Sequence, residues 1–293
     1  MTTRRSFFKS AGLGMAAVAA TPTLTGLPAN AAESSDAIAT FKLGVAGYTF
    51  VKFNLEDALK MVQRVDVHYL CIKDFHLPLN CTTDEVMAFH AKCKGYGVTG
   101  YGCGPIYMET PQAVKTAFEY TKRVGVKTLV GVPFKRGANN QRVENQELLE
   151  LINDLVQEYD INYAIHNHGP DMPELFPNAE SCIARIKDMD KRVGLCLDIG
   201  HQLRDGKDPV KAILDYHERL HDMHIKNVTE PTKKGRGIEI PRGAIDMTAV
   251  VNALRKVQYR GVCSLEYEKD MQDPILGIAE SIGYFRGIMD ATR

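Results

Sequence analysis

Short apolar runs alternate with longer amphipathic stretches along nearly all of this chain from residue 40 onward. Eight of the runs, rich in Val, Ile, Leu, Tyr and Cys, read as strands: 41–47, 67–73, 98–103, 127–132, 162–167, 193–198, 220–226 and 261–267. Between them the apolar positions fall three and four apart, as on one face of a helix. Residues 145–159 are the clearest case, with Leu148, Leu149, Ile152, Leu155 and Val156 in a single stripe. Several stretches open on a capping signal: Asn54, Thr82 with Glu85, Thr110 before Pro111, and Asn145. A last helix is expected at 273–291, after Asp273-Pro274.

Strands alternating with helices imply parallel pairing through right-handed crossovers. Eight such units in roughly 250 residues fit a single closed (β/α)8 TIM barrel, an α/β fold. A doubly wound open sheet is the competing arrangement. It usually carries a glycine-rich phosphate turn after its first strand, and Gly44-Val45-Ala46-Gly47 imitates that only weakly. No linker, repeat or low-complexity stretch follows residue 36, so residues 40–293 are expected to form one domain.

In a barrel the carboxyl ends of the strands converge, so polar residues there are site candidates. Four runs end in this way: NYAIHNH at His166, VGLCLD at Asp198, LHDMHIK at His224 and GVCSLE at Glu266. The intervals of 32, 26 and 42 residues each leave room for a helix. Imidazole and carboxylate are the groups that borderline and hard divalent cations take. Singly, each residue has a plainer explanation: an N-cap for Asp198, a hydrogen-bonded core or surface ring for either His. An unpartnered buried Glu is costly. Together they predict one mononuclear centre for a divalent cation, with Mn, Co, Zn and Mg left open.

Other polar residues at the same end are candidates for the chemistry, namely Lys73 and His168 alongside Glu266. Beside a dication, Lys73 would have its pKa lowered; the alternative is an ion pair with Asp74. His166 and His168 lie two apart and are expected to point the same way, like a chelating pair. His76, His201, Lys226 and Arg236 are candidate substrate contacts. The competing expectation for Lys226 is a solvated strand end, and for His201 a hydrogen bond to Asp198. Arg236 and Arg242 flank a glycine-containing loop, either closing over a substrate or simply solvated. Tyr48, Tyr101 and Tyr107 are placed to stack on a sugar ring or to pack in the core.

The motifs L-D-x-G-H at 197–201, H-I-K at 224–226 and G-x-x-x-x-E at 261–266 sit on this eightfold alternation. The pattern resembles the xylose-isomerase-like barrel superfamily of sugar isomerases and epimerases, over roughly residues 40–290. The resemblance implies one divalent ion held by a Glu, an Asp, a His and a Glu at the ends of strands 5 to 8. The last three fall on Asp198, His224 and Glu266, whereas His166 departs from the pattern. In those epimerases the two glutamates act as an acid/base pair on opposite faces of the sugar carbon, and here one is missing. The I-H-N-H ending at 165–168 looks like a branch that includes lyases acting on 3-keto-glycosides.

The resemblance therefore implies removal of a proton α to a carbonyl, ending in β-elimination of a 3-keto-glycoside or in isomerisation or epimerisation of a keto sugar. A non-catalytic periplasmic sugar-binding protein is one competing function. An endonuclease-type metallohydrolase is another, but it needs a multi-metal cluster and a basic groove.

Thr3-Arg4-Arg5-Ser6-Phe7-Phe8-Lys9, an apolar stretch at 11–20 and Ala29-Asn30-Ala31 resemble a twin-arginine export signal with its cleavage site. Residues 1–31 are thus expected to direct export, to the periplasm or otherwise, with cleavage or retention as a tether left open. The apolar stretch falls short of the ~20 residues a membrane span needs, so no stable insertion is expected after cleavage. Of the 36 basic and 36 acidic residues, Arg4, Arg5 and Lys9 lie in that segment and no acid does, which leaves 33 against 36, a net charge of −3. Nucleic acid is therefore not an expected partner, and a small carbohydrate is. Homo-oligomerisation is left open. Seven cysteines without a C-x-x-C read as small buried hydrophobes, with a Cys81–Cys93 bridge as the alternative.

Overall fold

The computed structural model describes residues 41–293. The expected export signal at 1–31 lies outside the described residues. Eight parallel strands form the barrel: β1 (Lys42–Ala46), β2 (Tyr69–Ile72), β3 (Thr99–Met108), β4 (Thr128–Arg136), β5 (Asn162–His166), β6 (Val193–Asp198), β7 (Leu220–Ile225) and β8 (Val262–Leu265). Each pairs in parallel with its sequence neighbour, and β1–β8 pairing closes the ring. The expected (β/α)8 barrel is the fold that forms.

Helices wrap the outside: α1 (Leu55–Arg64), α2 (Thr83–Gly95), α3 (Pro111–Val124), α4 (Gln146–Tyr159), α5 (Ala179–Ile186), α6 (Ile199–Arg204), α7 (Pro209–Tyr216), α8 (Met247–Lys256) and α9 (Ile275–Ala291). The capping signals operate as read. Asn54, Thr110 and Asn145 accept backbone N–H groups, and Thr82 with Glu85 forms a full capping box. The stripe on α4 is buried against the barrel at Leu148, Leu149, Ile152, Leu155 and Val156. Most of the apolar core lies in this outer layer between strands and helices.

The barrel interior is a separate small cluster of Cys71, Val130, Ala164 and Cys196 with Tyr101 packed on it. All seven cysteines are buried free thiols, so the Cys81–Cys93 alternative is not taken up. Among the described residues no helix is long and apolar enough to cross a membrane.

Two strands run past their expected ends. β3 continues to Met108 through a register shift between Cys103 and Ile106. Gly104 in that bulge has φ +132°, and a Cβ there would collide with the Val130 carbonyl oxygen. β4 continues to Arg136 and folds back on the short antiparallel strand Arg142–Glu144. Both extensions rise over the carboxyl end of the barrel.

Candidate metal centre

His166 and Asp198 are the last residues of β5 and β6, His224 is the penultimate residue of β7, and Glu266 follows β8 directly. These four strands are consecutive in the barrel wall, and all four side chains are buried. One ligand-type atom from each lies within 4.8 Å of the others. His166 Nε2 is 3.1 Å from His224 Nδ1 and 3.8 Å from Asp198 Oδ2. Glu266 Oε1 is 3.4 Å from the same His224 nitrogen. Bonds of about 2.0–2.2 Å to a tetrahedral cation would set donor atoms roughly 3.4 Å apart. Asp198 Oδ2 is buried without a hydrogen-bond partner. Two imidazole nitrogens converging with two carboxylates, one of them with an oxygen that accepts no hydrogen bond, are what a cation completes, so these residues fit one divalent ion.

The surrounding sequence holds each group in place. Asp198 divides its two oxygens, Oδ1 accepting the His201 N–H at 2.8 Å to cap α6 while Oδ2 faces the cluster. Capping and ligation are therefore compatible at this residue. The Asn167 side chain clamps the Asp198 backbone, donating to its carbonyl at 3.0 Å and accepting its N–H at 2.8 Å.

Asp222, two residues before His224, is buried and accepts the Tyr101 hydroxyl at 2.9 and 3.2 Å. One of its oxygens is 4.0 Å from His224 Nε2, beyond hydrogen-bond reach. At that range its charge still favours a proton on Nε2. Burial lowers the pKa of this ring, but Glu266, then Asp222 and Asp198, outweigh it and raise it above the ordinary imidazole value, so a cation at Nδ1 would take the place of a proton.

Lys226, expected as either a substrate contact or a solvated strand end, is neither exposed nor solvated. Its ammonium is buried 2.7 Å from Glu266 Oε2, 2.8 Å from Glu268 Oε2 and 3.3 Å from Asp198 Oδ2. Burial opposes ionisation of Glu266, but Lys226 and then His224 outweigh it and hold the carboxyl well below its ordinary range. Burial pushes Asp198 up, with Lys226 opposing. Burial, then His168 and His224, hold His166 well below the usual imidazole value, so it stays neutral with a lone pair to give.

Above the cluster lies a cavity of about 330 Å³, at the small end of ligand sites. His166, His168, His201, Glu266 and Glu268 form one side of its lining, and Tyr48, Lys73, Tyr107 and Arg142 the other. His168 does not chelate beside His166. The chain turns after β5, so its Nδ1–H donates to the His166 carbonyl at 3.0 Å and its Nε2 accepts the Tyr107 hydroxyl. Burial lowers its pKa to about 4. Lys73 lines the cavity in an ion pair with Asp74 at 2.5 Å.

Two expected substrate contacts are displaced. The His76 ring is buried beneath its loop at 3.0 Å from the Phe53 carbonyl and does not line the cavity. Arg236 lines a neighbouring groove shared with His201, Lys226 and Glu268. Arg242 points away, forming a two-bond pair with Glu280.

A family model described as the xylose isomerase-like TIM barrel matches residues 47–288. The chain belongs to that family. Solved structures similar to it include a xylose isomerase domain protein from Planctomyces limnophilus, 17% identical over 86% of this chain and 98% of that one, with a TM-score of 0.66. The IolI protein with a binding zinc atom is 17% identical over 86% and 99%, with a TM-score of 0.69. D-psicose 3-epimerase with D-tagatose, from Clostridium cellulolyticum H10, is 15% identical over 85% and 99%, with a TM-score of 0.66. At these identities the likeness is one of fold. No curated protein matches.

Sequence reasoning did not single out Asp222, Asn167, Glu268 or Arg142 as site residues. Asp222 and Glu268 had a usable signal, each lying two residues from an expected ligand. Arg142 had none, because it sits on the hairpin beyond β4.

Proposed function

We propose that the chain is a divalent-cation-dependent sugar enzyme that removes a proton α to a carbonyl, and that it eliminates rather than epimerises. The observation that carries this is the convergence of His166, Asp198, His224 and Glu266 beneath a cavity of monosaccharide scale. Those four residues would hold the cation. When bound, it supplies the positive charge that polarises a substrate carbonyl and its neighbouring hydroxyl.

The remaining roles belong to side chains of the cavity. His168 is neutral, and its Nδ1–H is committed to a backbone carbonyl, so Nε2 is the basic atom. Tyr107 hydrogen-bonds to that atom and can pass it the proton taken from the carbon. Across the cavity the Lys73 ammonium can protonate a departing oxygen. The C–H and C–O bonds break, a C=C bond forms, and the proton count balances.

Epimerisation would need a second acid on the opposite face. β5 offers His166 turned into the cluster where a carboxylate would be required. We also propose, from the twin-arginine-like motif at residues 3–9 and Ala29-Asn30-Ala31, that the protein is exported to the periplasm and cleaved after Ala31. N-terminal sequencing of the exported protein tests that part, and a retained Met1 would contradict it.

The experiment is incubation of cation-loaded protein with a 3-keto-glucoside and with simple ketoses in D2O. Released aglycone with deuterium exchange at the adjacent carbon is the expected result. Inversion at C3 would move the reading to epimerisation. Binding of sugar without exchange would replace it with a sugar-binding protein.

A further inference from the structure

We infer that the substrate carries an anionic group, a carboxylate or phosphate, and that Arg142 receives it; this rests on the function proposed above. Arg142 is half-buried on the short strand that folds back over the barrel mouth, and it lines the cavity above the cluster. Its guanidinium is held 4.3 Å over the Tyr107 ring and 5.0 Å from that of Phe134. Tyr107 in turn bonds to His168, whose ring lies 4.7 Å from that of His166. The guanidinium therefore stacks directly on one member of the proposed proton-transfer pair.

The surrounding charges are committed elsewhere. Arg136, its cross-strand neighbour, pairs with Glu109. Glu144, two residues on, is taken by Arg185 and Asp171 by Arg204, whereas Glu174 accepts only the neutral Gln141 amide and makes no ion pair with Arg142. Within the cavity Lys73 has Asp74, while Glu266 and Glu268 share Lys226. Among the described residues, Arg142 is the charged group of the lining that has no opposite charge within ion-pair distance. A dication would not change this. Asp198, Glu266 and Glu268 lie against Lys226, and Asp222 lies behind His224, so none of these acids is an ion-pair partner of the guanidinium.

A planar fork whose face is fixed by two rings, with its N–H edges open to a cavity, suits a carboxylate or phosphate. A neutral sugar would leave that charge to water alone.

The test compares three substrates on the cation-loaded protein: methyl 3-keto-glucoside, its 6-carboxylate and its 6-phosphate. Calorimetry reads affinity and solvent deuterium uptake reads turnover. The expected result is a preference of about tenfold or more in kcat/KM for an acidic analogue over the neutral one. The carboxylate and phosphate arms show which acid it is. In R142Q the acid-to-neutral ratio falls toward one, whereas R142K keeps most of it. Cation stoichiometry, measured separately, reports that each variant is folded.

Equal handling of acidic and neutral analogues by the wild type would overturn the inference and leave the proposed function standing. So would an R142Q variant that keeps the wild-type ratio. Exchange into none of the three would overturn the function and the inference together.

Discussion

The two halves of the barrel mouth are built differently. Strands β5 to β8 bring buried ionisable groups to a point: two imidazoles, two carboxylates and the ammonium of Lys226. Strands β1 to β4 bring a wall of half-exposed rings and longer cations: Tyr48, Lys73, Tyr107 and Arg142. The first half is dense, dry and mutually constrained. The second is open and less heavily paired. Under the proposed function, the dense half holds a cation and the open half chooses and handles the substrate.

Cutting into the dense half should have the largest consequence. Asp198→Ala should abolish cation binding, a loss of more than about 100-fold in affinity, and turnover with it. Calorimetric titration of Mn2+ or Zn2+ measures this, and retained stoichiometric binding would put the cation elsewhere. Leu70→Ala, on β2 with its side chain in the outer core, should cost about 2–5 kcal/mol of stability and leave cation stoichiometry intact. Denaturant melts and the same titration separate the two effects. Asp222→Asn should weaken cation binding by about tenfold, because the negative charge that favours a proton on His224 Nε2 is lost.

Tyr107→Phe, in the open half, should lower turnover by about 100-fold or more, because it removes the hydroxyl that passes the carbon's proton to His168. Its cation affinity should be unchanged. If affinity falls instead, the two halves are not separable.

The mildest effect is expected at the rim, at Glu239. Burial alone would raise its pKa, but Lys269, its own backbone N–H and the Tyr267 hydroxyl lower it to about 2. A carboxyl depressed from its ordinary value stabilises the fold above about pH 4.5 and loses that contribution as pH falls toward 2. Glu239→Gln should therefore cost about 1 kcal/mol at pH 7, discounted for solvent at the rim, and the gap from wild type should close in acid. Urea melts at pH 7 and pH 3 test the sign.

The same division governs what could be read from the chain. The dense half was legible because strand ends in a parallel barrel converge, so His166, Asp198, His224 and Glu266 could be grouped from their positions alone. The period of two carries one step further, to Asp222 and Glu268, although neither was singled out. The open half was not legible, because its geometry comes from irregularity. The register shift at Cys103–Ile106 and the hairpin beyond Pro133 carry Tyr107 and Arg142 over the mouth, and neither follows from apolar periodicity.

His168 shows the limit of the strand rule. Two residues from His166 it should share a face, but β5 ends at His166 and the turn redirects the ring toward Tyr107. Lys226 shows a different limit. A lysine at a strand end reads as solvated unless the acids it will meet, Asp198, Glu266 and Glu268, are already known to converge on it.

Whether one cation sits among these four side chains can be decided by anomalous diffraction at the absorption edge of the bound metal. One peak is expected, about 2.0–2.2 Å from His166 Nε2, Asp198 Oδ2, His224 Nδ1 and Glu266 Oε1, in crystals grown with Mn2+ or Zn2+. No peak there, with Lys226 still seated between Asp198 and Glu266, would contradict the assignment of a metal centre.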